Sequence, residues 1–67
     1  MNRIECLTQI ENELYYLDCK LTTFKTREGV IEINFTDKEL NNYKFYVPYR
    51  FLTSKQLHDN IRRWIVE

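Results

Sequence analysis

The stretch NNYKFYVPYRF, residues 41–51, places five aromatic residues within nine positions. One set of alternate positions is apolar or aromatic, and the other is mainly polar: Tyr43, Phe45, Val47, Tyr49 and Phe51 against Lys44, Tyr46, Pro48 and Arg50. Because successive side chains of a β-strand point to opposite faces, this spacing predicts a strand with the first set in the core. Pro48 cannot donate a backbone hydrogen bond, so the strand lies at a sheet edge or breaks there. The pattern predicts that four of the five aromatic residues are core and that Tyr46 is exposed.

A second strand and a turn precede this stretch. VIEINFT, residues 30–36, alternates cleanly, with Ile31, Ile33 and Phe35 on one face. REG, residues 27–29, contains the only glycine of the chain and predicts a hairpin turn. DKELNN, residues 37–42, is a polar connection to the next strand.

Residues 16–25 allow two interpretations. Leucines at 14, 17 and 21 and the phenylalanine at 24 continue a helical spacing, which would extend the first helix to about residue 25. LDCKLTTFKT also alternates, however, and its threonines favour strands. Alternation places Leu17, Cys19 and Leu21 on one face and Asp18, Lys20 and Thr22 on the other. We favour a strand over residues 17–26, with the longer helix as the alternative.

Both ends of the chain carry the pattern of a capped amphipathic helix. Asn2 and Glu5 form a capping box at the start of a helix over residues 2–15, and Thr53 and Gln56 form another near the C-terminus. The apolar positions recur at helical spacing: Ile4, Leu7, Ile10 and Leu14 in the first helix, and Leu57, Ile61, Trp64 and Ile65 in the second.

Together these segments predict an α+β fold with the order α-β-β-β-α, as a single compact domain over residues 1–67. Each predicted strand has one apolar and one polar face, which is typical of an antiparallel sheet covered by helices on one side only. The exposed face is then expected to carry these side chains: Lys20, Thr22, Glu32, Asn34, Lys44, Tyr46 and Arg50.

This element order resembles that of two families that act on RNA. Double-stranded RNA-binding domains open their second helix with a cluster of lysines and join their first two strands by a loop with glycine, proline and histidine. Toxin ribonucleases of the HicA family carry a histidine on the sheet. Here TSKQLHDN offers only Lys55, the loop is KTREGV, and no histidine falls on a predicted strand. The resemblance covers the element order alone and assigns the chain to neither family.

The sequence carries no catalytic signature. His58 is the only histidine, and its position on a helix flank predicts a surface residue rather than a general base. Cys6 and Cys19 stand apart, without the spacing of a metal site, so we expect neither a metal nor a cofactor. No apolar run is long enough for a membrane span, and the charged N-terminus is unlike a secretory signal. We therefore expect a cytoplasmic protein that is not an enzyme and whose thiols are reduced, with a Cys6–Cys19 disulfide as the less favoured alternative.

Charge and composition indicate a binding protein. The net charge is zero, yet residues 43–67 carry +3. Phe, Tyr, Met, Ile, Asn and Lys total 27 residues, against 7 for Gly, Ala, Arg and Pro, which indicates an A/T-rich genome such as that of a low-GC bacterium or its phages. The candidate binding residues are Lys44, Tyr46, Arg50, Lys55, Arg62 and Arg63.

The favoured partner is a protein. A tyrosine among cationic side chains has the composition of an interface anchor, and an unpaired strand edge, at Pro48 or over residues 17–26, could pair with another chain. We expect a phage or mobile-element modulator of a host protein, and inhibition is one form that such modulation takes. The alternative is a nucleic-acid-binding module that uses the basic C-terminal third. A homodimer is left open, and no membrane partner is expected.

Overall fold

The order of helices and strands follows the predicted α-β-β-β-α pattern. A computed structural model describes residues 1–66, with α1 (Arg3–Tyr16), β1 (Lys20–Arg27), β2 (Val30–Thr36), β3 (Asn42–Val47), a short 3-10 helix (Tyr49–Phe51) and α2 (Ser54–Val66). The strands form one sheet in the order β1-β2-β3, and both pairings are antiparallel. The predicted fold class is confirmed.

Both helices begin at the predicted capping residues. Asn2 Oδ1 accepts a hydrogen bond from the backbone N–H of Glu5 at 2.8 Å. Thr53 Oγ1 accepts one from the N–H of Gln56 at 3.2 Å, and Gln56 Oε1 accepts one from the N–H of Thr53 at 2.9 Å. These bonds satisfy N–H groups that have no partner inside the helix, and each such cap stabilises a helix by about 1 kcal/mol.

A Schellman motif ends α1 and decides between the two interpretations of residues 16–25. Asp18 adopts a positive φ of 58°. Its N–H donates to the carbonyl of Tyr15 at 3.2 Å, and the N–H of Cys19 donates to the carbonyl of Leu14 at 2.8 Å. Aspartate is one of the few residues besides glycine that tolerate this conformation. The favoured strand is confirmed, although it begins at Lys20 rather than at residue 17.

The turn between β1 and β2 contains two residues, Glu28 and Gly29, with φ values of 38° and 85°. Positive φ at both central positions is typical of a type I′ turn, whose twist matches that of the flanking strands. The turn makes Arg27 and Val30 register partners. The predicted hairpin is confirmed.

β1 contains a bulge that the sequence does not reveal. Leu21 pairs with Phe35, but the next pair joins Thr23 to Asn34, so Thr22 is an extra residue in β1. Its hydroxyl donates to the carbonyl of Asn34 at 2.9 Å. Beyond the bulge the alternation of β1 shifts by one residue, which places Phe24 on the inner face of the sheet.

The last part of the opening aromatic stretch differs from its prediction. β3 ends at Val47, directly before Pro48, and the chain turns into the 3-10 helix. Three residues per turn replace the alternation of a strand. Tyr49 is buried, as predicted, but Phe51 is 84% exposed, so its assignment to the core is wrong.

The core lies between the inner face of the sheet and the two helices. Its fully buried residues come from both helices, β2 and β3: Cys6, Ile10, Leu14, Ile31, Ile33, Phe35, Val47, Leu57 and Ile61. The partly buried ring of Phe45 continues this core, with its centroid 4.3 Å from that of Trp64 on α2 and 5.8 Å from that of Phe35. Both helices therefore pack on one side of the sheet, as the alternation predicted.

Candidate functional site

The outer face of the sheet carries no helix in the part of the chain that the structure describes. The register places its side chains in cross-strand rows, because partners on neighbouring strands share a face. Glu32 on β2 is the partner of both Lys25 on β1 and Tyr46 on β3. The neighbouring row joins Thr23, Asn34 and Lys44.

Cationic side chains dominate this face. We use the name basic sheet face for the following set: Lys20, Lys25, Arg27, Glu32, Lys44 and Tyr46. Four members are cationic and Glu32 is the only acidic side chain on this face among residues 1–66, which gives a formal charge of +3. Lys44 Nζ lies 3.8 Å from Glu32 Oε1, and the lysine side chain is 55% exposed. Within residues 1–66 the other three cations form no ion pair with a carboxylate, so most of the positive charge faces solvent.

Tyr46 is the large aromatic residue of this surface. Its side chain is 62% exposed, whereas its neighbours Phe45 and Val47 turn inward. A shallow cavity of about 80 Å³ lies beside it, lined by Lys25, Arg27, Val30, Glu32 and Tyr46. An aromatic ring next to two cationic side chains can pack against apolar groups while the cations bind a carboxylate or a phosphate.

The six predicted binding residues lie on different sides of the molecule. Lys44 and Tyr46 belong to the basic sheet face. Arg50 lies in the 3-10 helix, and its side chain covers Gly29: a Cβ at that glycine would lie 3.2 Å from Arg50 Cδ. The remaining three are exposed on α2, across the sheet from Tyr46: Lys55, Arg62 and Arg63. The structure therefore does not bring the basic C-terminal third together as one surface.

Two cationic residues of the face, Lys25 and Arg27, were missed by the sequence prediction. If the alternation of Lys20 and Thr22 is extended along β1, Lys25 and Arg27 fall on the inner face. The alternation alone does not reveal the bulge that moves them to the outer face. The hairpin turn is the signal that could have found them. A two-residue turn makes residue 27 the partner of residue 30, which the pattern of β2 already places outward.

His58 takes part in a polar contact between the helices. Its Nδ1 lies 2.7 Å from Glu13 Oε2 on α1, and Arg62 Nε lies 3.8 Å from the same oxygen. Near it, Gln9 Nε2 donates to the carbonyl of Ser54 at 2.6 Å, and Ser54 Oγ donates back to Gln9 Oε1 at 2.8 Å. These groups join α1 to α2, and Arg62 is partly engaged by a carboxylate of its own chain.

The two cysteines are free and buried. Burial raises the pKa of the Cys6 thiol to about 11. Burial also raises the pKa of Cys19, and the carboxylates of Asp37 and Asp18 raise it further. Because the thiolate is the reactive form of cysteine, neither environment activates a nucleophile.

A larger groove lies between α1 and β1. Its volume is about 430 Å³, and it is lined by four apolar or aromatic residues and three polar ones: Tyr15, Cys19, Leu21 and Phe24 with Glu11, Lys20 and Thr22. We call it the β1 groove. Phe24 is 47% exposed although it points to the inner face, because α1 does not fully cover this end of the sheet.

The candidate site is thus made of surfaces, the basic sheet face and the β1 groove. Within residues 1–66, no group of three or more histidine, cysteine, aspartate or glutamate side chains is arranged as metal ligands. No helix in the same range is long and apolar enough to cross a membrane. Comparisons with family models, with curated proteins and with solved structures returned no significant match to this chain.

Proposed function

We propose that this protein is a non-catalytic binding domain that acts by protein–protein interaction through its basic sheet face. The observation that carries the proposal is the open outer face itself, with Tyr46 62% exposed beside cationic side chains. Tyrosine and arginine are enriched among the residues that dominate binding energies at protein interfaces. The helices supply the core on one side, so the other side of the sheet is free for a partner.

The charge of this face favours an acidic partner surface. The net charge of +3, from four cations and one carboxylate, attracts acidic groups at a distance and speeds their association. This attraction weakens as salt is added. Acidic side chains of the partner would meet Lys25 and Arg27, while apolar groups would pack on the ring of Tyr46. Protein interfaces usually have apolar contacts at the centre and polar or charged groups at the rim, and this arrangement matches that pattern.

The composition supports a more specific version of this proposal, a phage or mobile-element product that modulates a host protein. The amino-acid composition indicates A/T-rich coding, as in low-GC bacteria and their phages. The place of action is then the cytoplasm, where buried thiols remain reduced.

Affinity capture from a lysate of a low-GC bacterium, treated with nuclease, tests the proposal. The variants compared are Tyr46→Ala and Phe51→Ala, which remove exposed aromatic rings on different elements. We expect the wild type and Phe51→Ala to retain one protein stoichiometrically. The amount recovered with Tyr46→Ala should be at least tenfold lower. Recovery of no stoichiometric protein, or capture that ignores Tyr46→Ala, would contradict the proposal.

Nucleic-acid binding is the second candidate function, favoured by the presence of four cations and an aromatic ring on one open face. A base can stack on tyrosine while cations contact phosphates. For single-stranded DNA, four phosphate contacts predict a log–log salt slope of about −3.

Fluorescence anisotropy with a labelled single-stranded oligonucleotide tests this candidate. The paired variant Lys25→Gln with Lys44→Gln should weaken binding and about halve the salt slope, and the matched pair Lys55→Gln with Arg63→Gln on α2 should leave both unchanged. The reverse order would assign binding to the basic C-terminal third instead. Absence of binding at low salt would remove the candidate.

A further inference from the structure

We infer that the free edge of β1 takes up an extended segment of the partner protein as a fourth strand, and that this segment alternates acidic with apolar residues. The inference rests on the proposed function, protein binding, and specifies a segment and an edge for it. Three features carry it: an unpaired strand edge, the β1 groove beneath that edge, and the cations beside it.

The edge itself has the length and regularity that strand addition needs. β1 pairs only with β2, so the backbone groups along its other side have no strand partner in the described chain. Its eight residues span about 26 Å at 3.3 Å per residue. Beyond the bulge, residues 23–27 pair with β2 without interruption. An added chain would hydrogen-bond to this regular half, which is how sheets take up peptides.

The β1 groove specifies one side of the added segment. It lies on the inner-face side of β1 and is lined by the half-exposed ring of Phe24 and the 77% exposed ring of Tyr15. Every second side chain of a new strand would point to the inner-face side, and those next to Phe24 would reach this groove. Apolar side chains would cover the exposed part of both rings, so those positions of the segment are apolar.

The cations specify the other side of the segment. Lys25 and Arg27 point to the outer face, and no acidic side chain of β1 shares that face with them. The outward side chains of an added strand would lie next to these two, at the separation of cross-strand neighbours. Opposite charges stabilise such pairs, so the outward positions are acidic. Glu11, which lines the groove, adds a reason for the inward positions not to be acidic.

The same charges argue against a second copy of this chain as the occupant. Antiparallel pairing of the regular halves of two β1 strands, residues 23–27, about their centre would place Lys25 opposite Lys25 of the other copy and Arg27 in the next row on the same face. Like charges at such positions destabilise a pairing, and lysines on edge strands are a known protection against self-association. The other edge is less suited, since β3 has six residues and runs directly into Pro48.

Selection from a phage-displayed library of random linear dodecapeptides, with the wild-type protein as bait, tests the inference. We expect the enriched peptides to alternate acidic and apolar residues over at least five positions. A synthetic peptide of the enriched sequence should shift the backbone amide NMR signals of residues 23–27, and those of β3 much less.

Three variants separate the contributions. Lys25→Glu with Arg27→Glu should raise the Kd of that peptide at least tenfold, and Tyr15→Ala should raise it severalfold. The matched pair Lys55→Glu with Arg63→Glu on α2 should leave it within twofold. NMR spectra of the variants establish that each is folded.

The possible failures of the two proposals are distinguishable. Four results would each overturn the inference. They are enriched peptides without alternation, amide shifts confined to other elements, a peptide Kd that the β1 variants leave unchanged, and dimerisation through β1. Capture of a partner that depends on Tyr46 would still support the proposed function in any of these cases. If the partner is captured equally by Tyr46→Ala and the peptide pairs with β1, the sheet-face proposal is overturned and binding at the edge of β1 is supported.

Discussion

Truncation of Phe45 should cost this domain most of its stability. The ring lies on the inner face of β3, parallel within 6° to the indole of Trp64 at a centroid distance of 4.3 Å, and it also stacks on Phe35 at 5.8 Å. Phe→Ala in a core costs about 3–5 kcal/mol, and each aromatic contact accounts for about 0.5–1.5 kcal/mol beyond buried area. Because Phe45 is only partly buried, we expect a loss near 3 kcal/mol. A domain this small has about 5 kcal/mol in total.

Thermal melts followed by circular dichroism and by Trp64 fluorescence measure this loss. At about 4–8 °C per kcal/mol for a chain of this size, Phe45→Ala should lower the Tm by roughly 12–24 °C. Phe45→Leu keeps most of the apolar area but removes the stacking, so it should cost about 1 kcal/mol. Tyr46→Ala should stay within about 1 kcal/mol, because that ring makes only cross-strand contacts. If Tyr46→Ala unfolds the domain while Phe45→Ala is tolerated, the register of β3 is shifted by one residue and the reasoning is refuted.

Two further predictions concern the loops. Glu28→Asn should raise the unfolding free energy by about 0.5 kcal/mol, since Asn-Gly is the preferred pair for a type I′ turn. Gly29→Ala should lower it by about 1 kcal/mol because residue 29 has a positive φ. Urea titrations measure both changes. The pKa of Asp37 lies below its ordinary value of 3.8, chiefly because the side chain of Asn41 donates to its carboxylate, with further bonds from backbone N–H groups and from Tyr43. Ionised Asp37 therefore stabilises the fold above pH 3.8 and loses that contribution as the pH falls through its lowered pKa, so the Tm difference between wild type and Asp37→Asn should shrink below pH 4. A difference that stays constant down to pH 2 would contradict this assignment.

Local signals in the sequence were sufficient to predict most of the fold. Helix starts depend on the capping residues, and the side chains of Asn2 and Thr53 make the expected bonds. The alternation of β2 determines its faces because a covered face requires continuous apolar positions. The end of α1 was harder to predict, since Asp18 takes the left-handed position that glycine usually occupies, and an aspartate there is ambiguous in a sequence.

The candidate site could be predicted only in part, because irregular backbone decides its composition. Lys44 and Tyr46 follow from the alternation of β3, which is regular. Phe51 was misplaced because the 3-10 helix after Pro48 breaks that alternation. Lys25 and Arg27 were missed because a bulge depends on pairing between strands, which no local pattern encodes.

The bulge at Thr22 is the common origin of both candidate surfaces. A continuous β1 would turn Phe24 outward and Lys25 and Arg27 inward. The groove would then lose one of its two aromatic rings, and the sheet face would lose half of its cations. The extra residue reverses this: Phe24 pairs with Ile33 on the inner face and Lys25 pairs with Glu32 on the outer face. A bulge also increases the local twist, which hinders pairing at the start of β1 and leaves residues 23–27 as the part that can pair with an added strand. One irregular residue thus places the β1 groove and the cations Lys25 and Arg27 on opposite faces of the same edge strand. That arrangement is the one an extended acidic and apolar segment would fit.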